Sequence, residues 1–427
     1  MDKIVTKEQL VSAATQHGEP ASLVERRAAA FDHFITSRMP HMARFNFSDW
    51  PLFAPNPALA FAPSQQAIEL PDVKPTSIRL VQFGQTTVSV RLPQQWADSG
   101  VILMGLFDAL KQYPDMVADK LMTIVKPTEN KLTAYHLAYL NSGVFLYVPK
   151  GVELDQPVEV DLIQDSTAPD REFNAHLLII AEENSSVSVL QHTTTRGNYA
   201  NRASLMVEID AQAGSHVAFS SLDELGDQTL TYFKRRANIG RNAKVEWAVG
   251  LMNGADTVGD MDSELIGEGG EGDSKLIAVT TGNQRVGINN RVTHHGQHTT
   301  GNINQRGVLL GKSHLVFNGI GEIIHGAHDA NAEQQNRVLM MSPDCRGDAN
   351  PILLIDENDV IAGHAASVGP VNPVQMNYLM SRGIPKPVAE HMVIRGFLSS
   401  VIAAIPADRV RQELIAILER KLTDGNL

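Results

Sequence analysis

The sequence predicts a mainly β protein: a parallel β-helix core between an N-terminal helical and extended region and a C-terminal helical domain. Three observations carry this. Alternating runs such as Val88-Ser-Val-Arg-Leu92 and Leu205-Met-Val-Glu-Ile209 fill residues 77–371, punctuated by Gly, Asn, Asp and Ser. A small polar residue followed by an aliphatic position recurs at Val187, Val217, Val245, Leu276 and Leu315, spaced 30, 28, 31 and 39 residues apart. Such spacing is the mark of a stacked array with two or three short strands per unit. No helical stretch of about ten residues joins these strands, which disfavours β-α-β crossovers. A β-sandwich with long strands is the alternative architecture.

Residues 1–76 form the first region. Leu10, Val11 and Ala14 fall at helical spacing, and Leu23, Arg26, Arg27, Ala30 and Phe31 continue after a break at Pro20. Pro51, Pro55, Pro57, Pro63, Pro71 and Pro75 then predict an extended arm lying on the next domain. Within the core, Leu103, Leu106, Leu110, Met116 and Leu121 predict a helical interruption at 102–124. Residues 372–427 turn helical again. Asn372-Pro373 opens a helix through Ser381, and Arg382-Gly-Ile-Pro385 breaks it. A second helix, Pro387 to Ala403, carries Val388, Met392, Val393, Gly396, Phe397 and Val401 as its apolar face. A third starts at Pro406 with a stripe of Val410, Leu414, Ile417, Leu418 and Leu422. Arg420 and Lys421 suit its C-terminal dipole, and Gly425 ends it. A solenoid needs covered ends, so this bundle is expected to act as a cap.

Composition narrows the function. The 427 residues carry 48 acids against 36 bases, a net charge of −12, which argues against a broad nucleic-acid face. The single cysteine, Cys345, excludes an intrachain disulfide, a four-cysteine zinc site and an iron–sulfur cluster held by this chain's thiolates alone. No apolar run is long enough to span a membrane. Met1 to Glu8 shows no apolar signal core, so a cytoplasmic location is expected.

Several motifs fail on their chemistry. Gly307-Val-Leu-Leu-Gly-Lys-Ser313 has three residues between its glycines where a phosphate loop needs four, and a repeat strand follows instead of a helix. Gly267-Glu-Gly-Gly-Glu-Gly272 fits a dinucleotide spacing, but its acids repel pyrophosphate. His294 and His295 point to opposite faces of a strand, so at most one joins His298. His325 and His328 are a second imidazole pair, and Cys345 lies in a loop beside Arg346, where an exposed thiol would be reactive. One segment stands out: Pro351 to Gly369, a strand, an acidic turn and a second strand carrying His364 among small residues. Small neighbours let a ligand or another backbone approach closely.

Five pieces in order resemble the SufB/SufD family of iron–sulfur cluster assembly scaffolds, on its SufD side. They are Leu140–Val152, Val316-Phe-Asn-Gly319, Asp359–Gly369 around His364, Tyr378-Leu-Met-Ser-Arg-Gly-Ile384 and Val393-Ile-Arg-Gly-Phe397. The resemblance implies a right-handed β-helix. It implies a heterodimer with a SufB-like subunit through the last core strands (Asp359, Val360, Val368). It implies docking of a SufC-like ABC ATPase on the C-terminal helices (Tyr378, Arg382, Gly383, Arg395, Phe397). His364 matches the family's interface histidine, a ligand for a transient iron–sulfur cluster only in the complex. No cofactor is expected on the isolated chain, which has a homodimer as a further option, and neither nucleic acid nor membrane is expected as a partner. Two departures stand out: Ala362 replaces a cysteine of some relatives, and Ala365 a frequent glycine. The competing readings are a purely structural partner, a β-helix carbohydrate-active enzyme and a histidine metalloenzyme.

Overall fold

The computed structural model describes residues 6–53, 77–403 and 408–424. Met1 to Val5, Pro55, Pro57, Pro63, Pro71, Pro75, Pro406, Gly425 and the side chain of Val410 lie outside the described residues. Helices α1 (Lys7–Gln16) and α2 (Ala21–Thr36) come first. A hairpin follows, β1 (Ile78–Phe83) and β2 (Thr86–Arg91), then α3 (Gln94–Asp98) and β3 (Ile102–Gly105). Helices α4 (Leu106–Gln112), α5 (Pro114–Ala118) and α6 (Lys131–Ala138) occupy and extend the expected interruption.

From there the chain winds as a parallel β-solenoid of about 8 turns. Each turn gives one strand to each of two sheets. One sheet takes β4 (Ser142–Val148), β6 (Phe173–Ala181), β8 (Arg202–Ala211), β10 (Leu230–Ile239), β12 (Thr257–Leu265), β14 (Arg285–His294), β16 (His314–Ile323) and β18 (Arg346–Ile355). The other takes β5 (Val158–Ser166), β7 (Ser186–Gly197), β9 (His216–Glu224), β11 (Lys244–Leu251), β13 (Glu271–Thr280), β15 (Thr300–Leu309), β17 (Ala330–Met340) and β19 (Val360–Pro370). With β3 and with β1 and β2 added, the sheets have 9 and 10 strands. Parallel pairing throughout the coils excludes the sandwich. Helices α7 (Pro373–Ser381), α8 (Lys386–Ile402) and α9 (Asp408–Asp424) end the chain.

The repeat differs from the one read in the sequence. Val187, Val217 and Val245 do pair in register. Leu276 pairs instead with Val249, and Leu315 lies in the other sheet beside Val286. The true repeat is a turn. Asn184, Gly214, Asn242, Gly269, His298 and Asp329 all have positive φ, between +52° and +70°, one per coil. Each donates its N–H to a carbonyl of the next coil, at 2.8–3.0 Å for the first five and 2.7 Å for Asp329 to Asp359. Left-handed backbone favours Gly, Asn and Asp, so these residue types mark the coils. The interior is filled by inward rows such as Phe219, Trp247 and Ile303.

Both outer faces are covered. Met42, Phe45, Phe47, Trp50 and Leu52 of the N-terminal arm join α2, α4 and α6 over the nine-stranded sheet. The arm is tied down where Asn318 donates to the Ala43 carbonyl at 3.2 Å and Arg202 to the Pro51 carbonyl. Ile394, Leu398, Val401, Ile402, Leu414, Ile417, Leu418 and Leu422 of α8 and α9 lie on the other sheet, from Leu190 of β7 to Val308 of β15. The C-terminal bundle therefore covers a side of the solenoid and not its end. The face of α8 is corrected too: Val388 and Met392 are 50% and 47% exposed, because the sheet lies under the Ile394–Leu398 side.

Lys421 is not a free terminal charge. Its partly buried amine donates to the Asn253 carbonyl at 2.6 Å, and burial lowers its pKa to about 7. Arg420 pairs with Glu224 beside it, on a cavity of about 840 Å³ between α9 and the coil turns. The unfolded lysine titrates near pH 10.4. Between pH 7 and about 10.4 only the unfolded chain holds the proton, so stability rises with pH across that window. Thermal melts of wild type and Lys421→Met should converge as pH rises from 7 to 10, with the variant more stable at pH 7. The Asn253 carbonyl keeps its bond from Gln284 in that variant. Parallel pH profiles for the two proteins would contradict this.

Candidate functional site at the open end of the solenoid

Among the described residues the last coil has no covering element. β18 and β19 pair on one side only, with β16 and β17. Leu354, Ile355, Ile361 and Val368 stand 45%, 43%, 63% and 41% exposed. An apolar edge of strands ten and eleven residues long is a template for another chain.

His364 lies in the middle of β19, in register with Gln334. Residues paired in a parallel sheet share a face. Phe219, Trp247, Ser274, Ile303 and Gln334 precede it in one inward row, all buried. His364 is exposed because no coil follows it. An imidazole thus closes an interior row at the mouth of the solenoid. Ala362 shares its face and packs on Ile323, Ala327, Ala330 and Ala332. No thiol stands beside His364, and among the described residues no three His, Cys, Asp or Glu side chains are set to hold a metal. The site offers one nitrogen donor, so cluster ligation there needs donors from another chain.

The other expected residues divide. Asp359 lies in the turn before β19 and not in a strand, and its carbonyl accepts the Asp329 N–H at 2.7 Å. Val360 is half-buried against the alanine cluster, while Val368 is exposed. Tyr378 is 59% exposed with the Arg382 guanidinium 5.2 Å from its ring centroid, and Gly383 (φ +85°) ends α7. Val374, Met380, Val388 and Met392 extend this exposed apolar surface. Arg395 instead reaches Glu419 of α9 at 3.5 Å, and Phe397 faces the sheet, 5.7 Å from the Arg306 guanidinium. Those two help fasten α8.

The rejected motifs take structural places. Gly307 to Ser313 is the end of β15 and its turn to β16, and Gly267 to Gly272 is the turn after β12 and the first residues of β13. His294 is buried, bonded to Thr299 at 2.8 Å, and burial lowers its pKa to about 4. His295 faces outward to Glu264 at 2.8 Å, and His298 is a turn residue bonded to Asp329 at 2.9 Å. His325 and His328 flank Glu357 at 3.9 and 3.4 Å. Cys345 is buried, its thiol donating to the Ser342 carbonyl at 3.0 Å, so the condition for a reactive, exposed thiol is not met.

Sequence reasoning missed the buried polar joint that fixes the helical region to the coils. Glu208 accepts the N–H groups of Met122, Ile124 and Val125 at 2.6, 2.9 and 2.6 Å. His176 Nε2 lies 3.0 Å from the same carboxylate, His136 Nε2 follows at 3.3 Å, and Ser204 closes the chain. Alternation along β8 places Glu208 outward. Nothing in that alternation shows that the loop before α6 covers it.

These features define a class. A long two-sheet parallel solenoid with covered flanks and a bare last coil is the architecture of a scaffold. The family model for the SUF system FeS cluster assembly SufBD core domain matches residues 163–397, and that for the SufBD protein N-terminal region matches 9–160. The chain belongs to the SufBD family of iron–sulfur cluster assembly proteins. It is 39% identical to the iron–sulfur cluster assembly protein SufD of Bacillus subtilis, over 98% of both chains. A SufBD family protein of Pyrococcus horikoshii is 26% identical over 78% of this chain and 74% of its own. SufB of Bacillus subtilis is 23% identical over 95% and 90%.

Proposed function

We propose that this chain is the SufD-like, non-catalytic subunit of a cytoplasmic iron–sulfur cluster assembly complex. Its last coil pairs with a SufB-like subunit, and the Tyr378–Met392 surface docks a SufC-like ABC ATPase. His364 supplies one nitrogen to a transient cluster, which is cargo and not a resident cofactor, while the partner supplies thiolate. The observation that carries this reading is the bare, apolar last coil with an imidazole at its mouth. No described helix is long and apolar enough to cross a membrane.

The test is co-purification and cluster assembly with the three subunits co-expressed. Ile361→Glu with Val368→Glu should weaken pairing with the SufB-like subunit roughly 30-fold or more, as loss of a buried apolar anchor does. His364→Ala should leave the complex intact and lower cluster formation roughly tenfold or more. An intact complex in the double variant refutes pairing through the last coil. Full cluster formation in His364→Ala would make the chain a purely structural partner, a reading that the missing thiol at Ala362 favours.

A further inference from the structure

A line of amides crosses the outer face of the nine-stranded sheet and stops at its open edge. Asp260, Asn289, Asn318 and Asn350 pair in register on β12, β14, β16 and β18. The Asn289 amide donates to Asp260 at 2.7 Å, Asn318 to Asn289 at 2.9 Å and Asn350 to Asn318 at 2.8 Å. Every bond runs the same way. Two anchors impose that direction. The Ala43 carbonyl can only accept, so Asn318 must turn its nitrogen inward, where it also donates at 3.2 Å. Asp260, with the Lys234 amine 3.9 Å away, holds the nitrogen of Asn289 likewise. Amides bonded head to tail polarise one another. The consequence falls on Asn350. Its nitrogen is committed to Asn318, which leaves its carbonyl oxygen for the edge where, among the described residues, no further strand pairs.

We propose that Asn350 selects the partner strand. The strand that extends the nine-stranded sheet must bring a side-chain N–H, an amide or a cation, opposite this oxygen. A carboxylate there is repelled, and an apolar residue leaves the acceptor unpaired. A second copy that sets Asn350 against Asn350 meets acceptor with acceptor, so the ladder also works against that self-pairing. This inference rests on the last coil being the seat of the SufB-like subunit.

Titration calorimetry of the full chain with its SufB-like subunit tests it. Asn350→Leu should bind about tenfold more weakly. Asn318→Leu, which frees Asn350 to rotate, should lose less affinity; it also drops the buried tie to the Ala43 carbonyl and so should melt below wild type, while Asn350→Leu melts near it. Asn350→Ala replaces Asn350→Leu if the latter fails to fold. Ile361→Glu is the control for the seat itself. An affinity for Asn350→Leu within twofold of wild type, with Ile361→Glu abolishing binding, overturns the proposal and leaves the last-coil reading standing. Wild-type binding by Ile361→Glu overturns both. If Asn350→Leu weakens self-association as much as partner binding, the acceptor is read by a second copy, and the proposal falls.

Discussion

Replacing Glu208 with alanine should destabilise the chain by about 3–5 kcal/mol, the cost of breaking a buried charged network from one side. Three backbone N–H groups would lose their acceptor, and His176 the carboxylate beside its ring, in a place with no exposure to water. Each unmet buried donor costs about 1–3 kcal/mol, and relaxation of the loop recovers part of the sum. Glu208→Gln should cost less. Its remaining oxygen still accepts from Ile124 and Val125, which share Oε1 in the parent. Urea unfolding of both variants is the measurement. A loss under about 1 kcal/mol for the alanine variant would show that the loop before α6 refinds partners elsewhere.

Deleting residues 373–427 should have a still larger effect, and one easily misread. The deletion removes the proposed ATPase surface, but it also strips Leu190, Leu222, Ala248, Met252, Ile277, Val279, Val308 and Leu310 of their cover. Eight apolar side chains would face water across five adjacent strands, an area that soluble monomers rarely show. The truncated chain should aggregate and bind a hydrophobic dye, and lost ATPase binding would follow for that reason alone. Tyr378→Ala and Met392→Glu separate the two effects, since both side chains stand in solvent. These variants should stay monodisperse and lose the ATPase. A soluble, well-folded truncation would mean that α8 and α9 contribute little to the fold.

The fold was legible because the solenoid repeats itself in sequence, but the legible signal was only partly the true one. Aliphatic positions tracked three coils and then slipped, as at Leu276, because every inward row looks alike. The left-handed turn residues hold register better, since few residue types tolerate that backbone. His298 shows the cost of missing them: the sequence groups it with His294 and His295 as an imidazole cluster, and in the fold it is a turn residue. Helix limits near Pro385 and Ser381 were clear from proline and capping residues. The buried face of α8 was not, because a helix with apolar residues on several sides does not say which side meets the sheet. His364 was found through its small neighbours. Its place at the end of an inward row depends on strand register across six coils, which local sequence does not encode.

The N-terminal arm has a consequence for how the chain is made. A solenoid alone contacts only its neighbours and can build up coil by coil as it leaves the ribosome. The Asn318–Ala43 bond joins residues 275 positions apart. The arm is therefore synthesised long before the strand that completes its seat. Until β16 exists, Phe45 lacks its contact with the His314 ring, so the nascent chain carries a partly uncovered aromatic segment while the coils before β16 are made. Slowing translation after the last coil should change little, whereas a chaperone that binds apolar segments should meet this chain early and release it late.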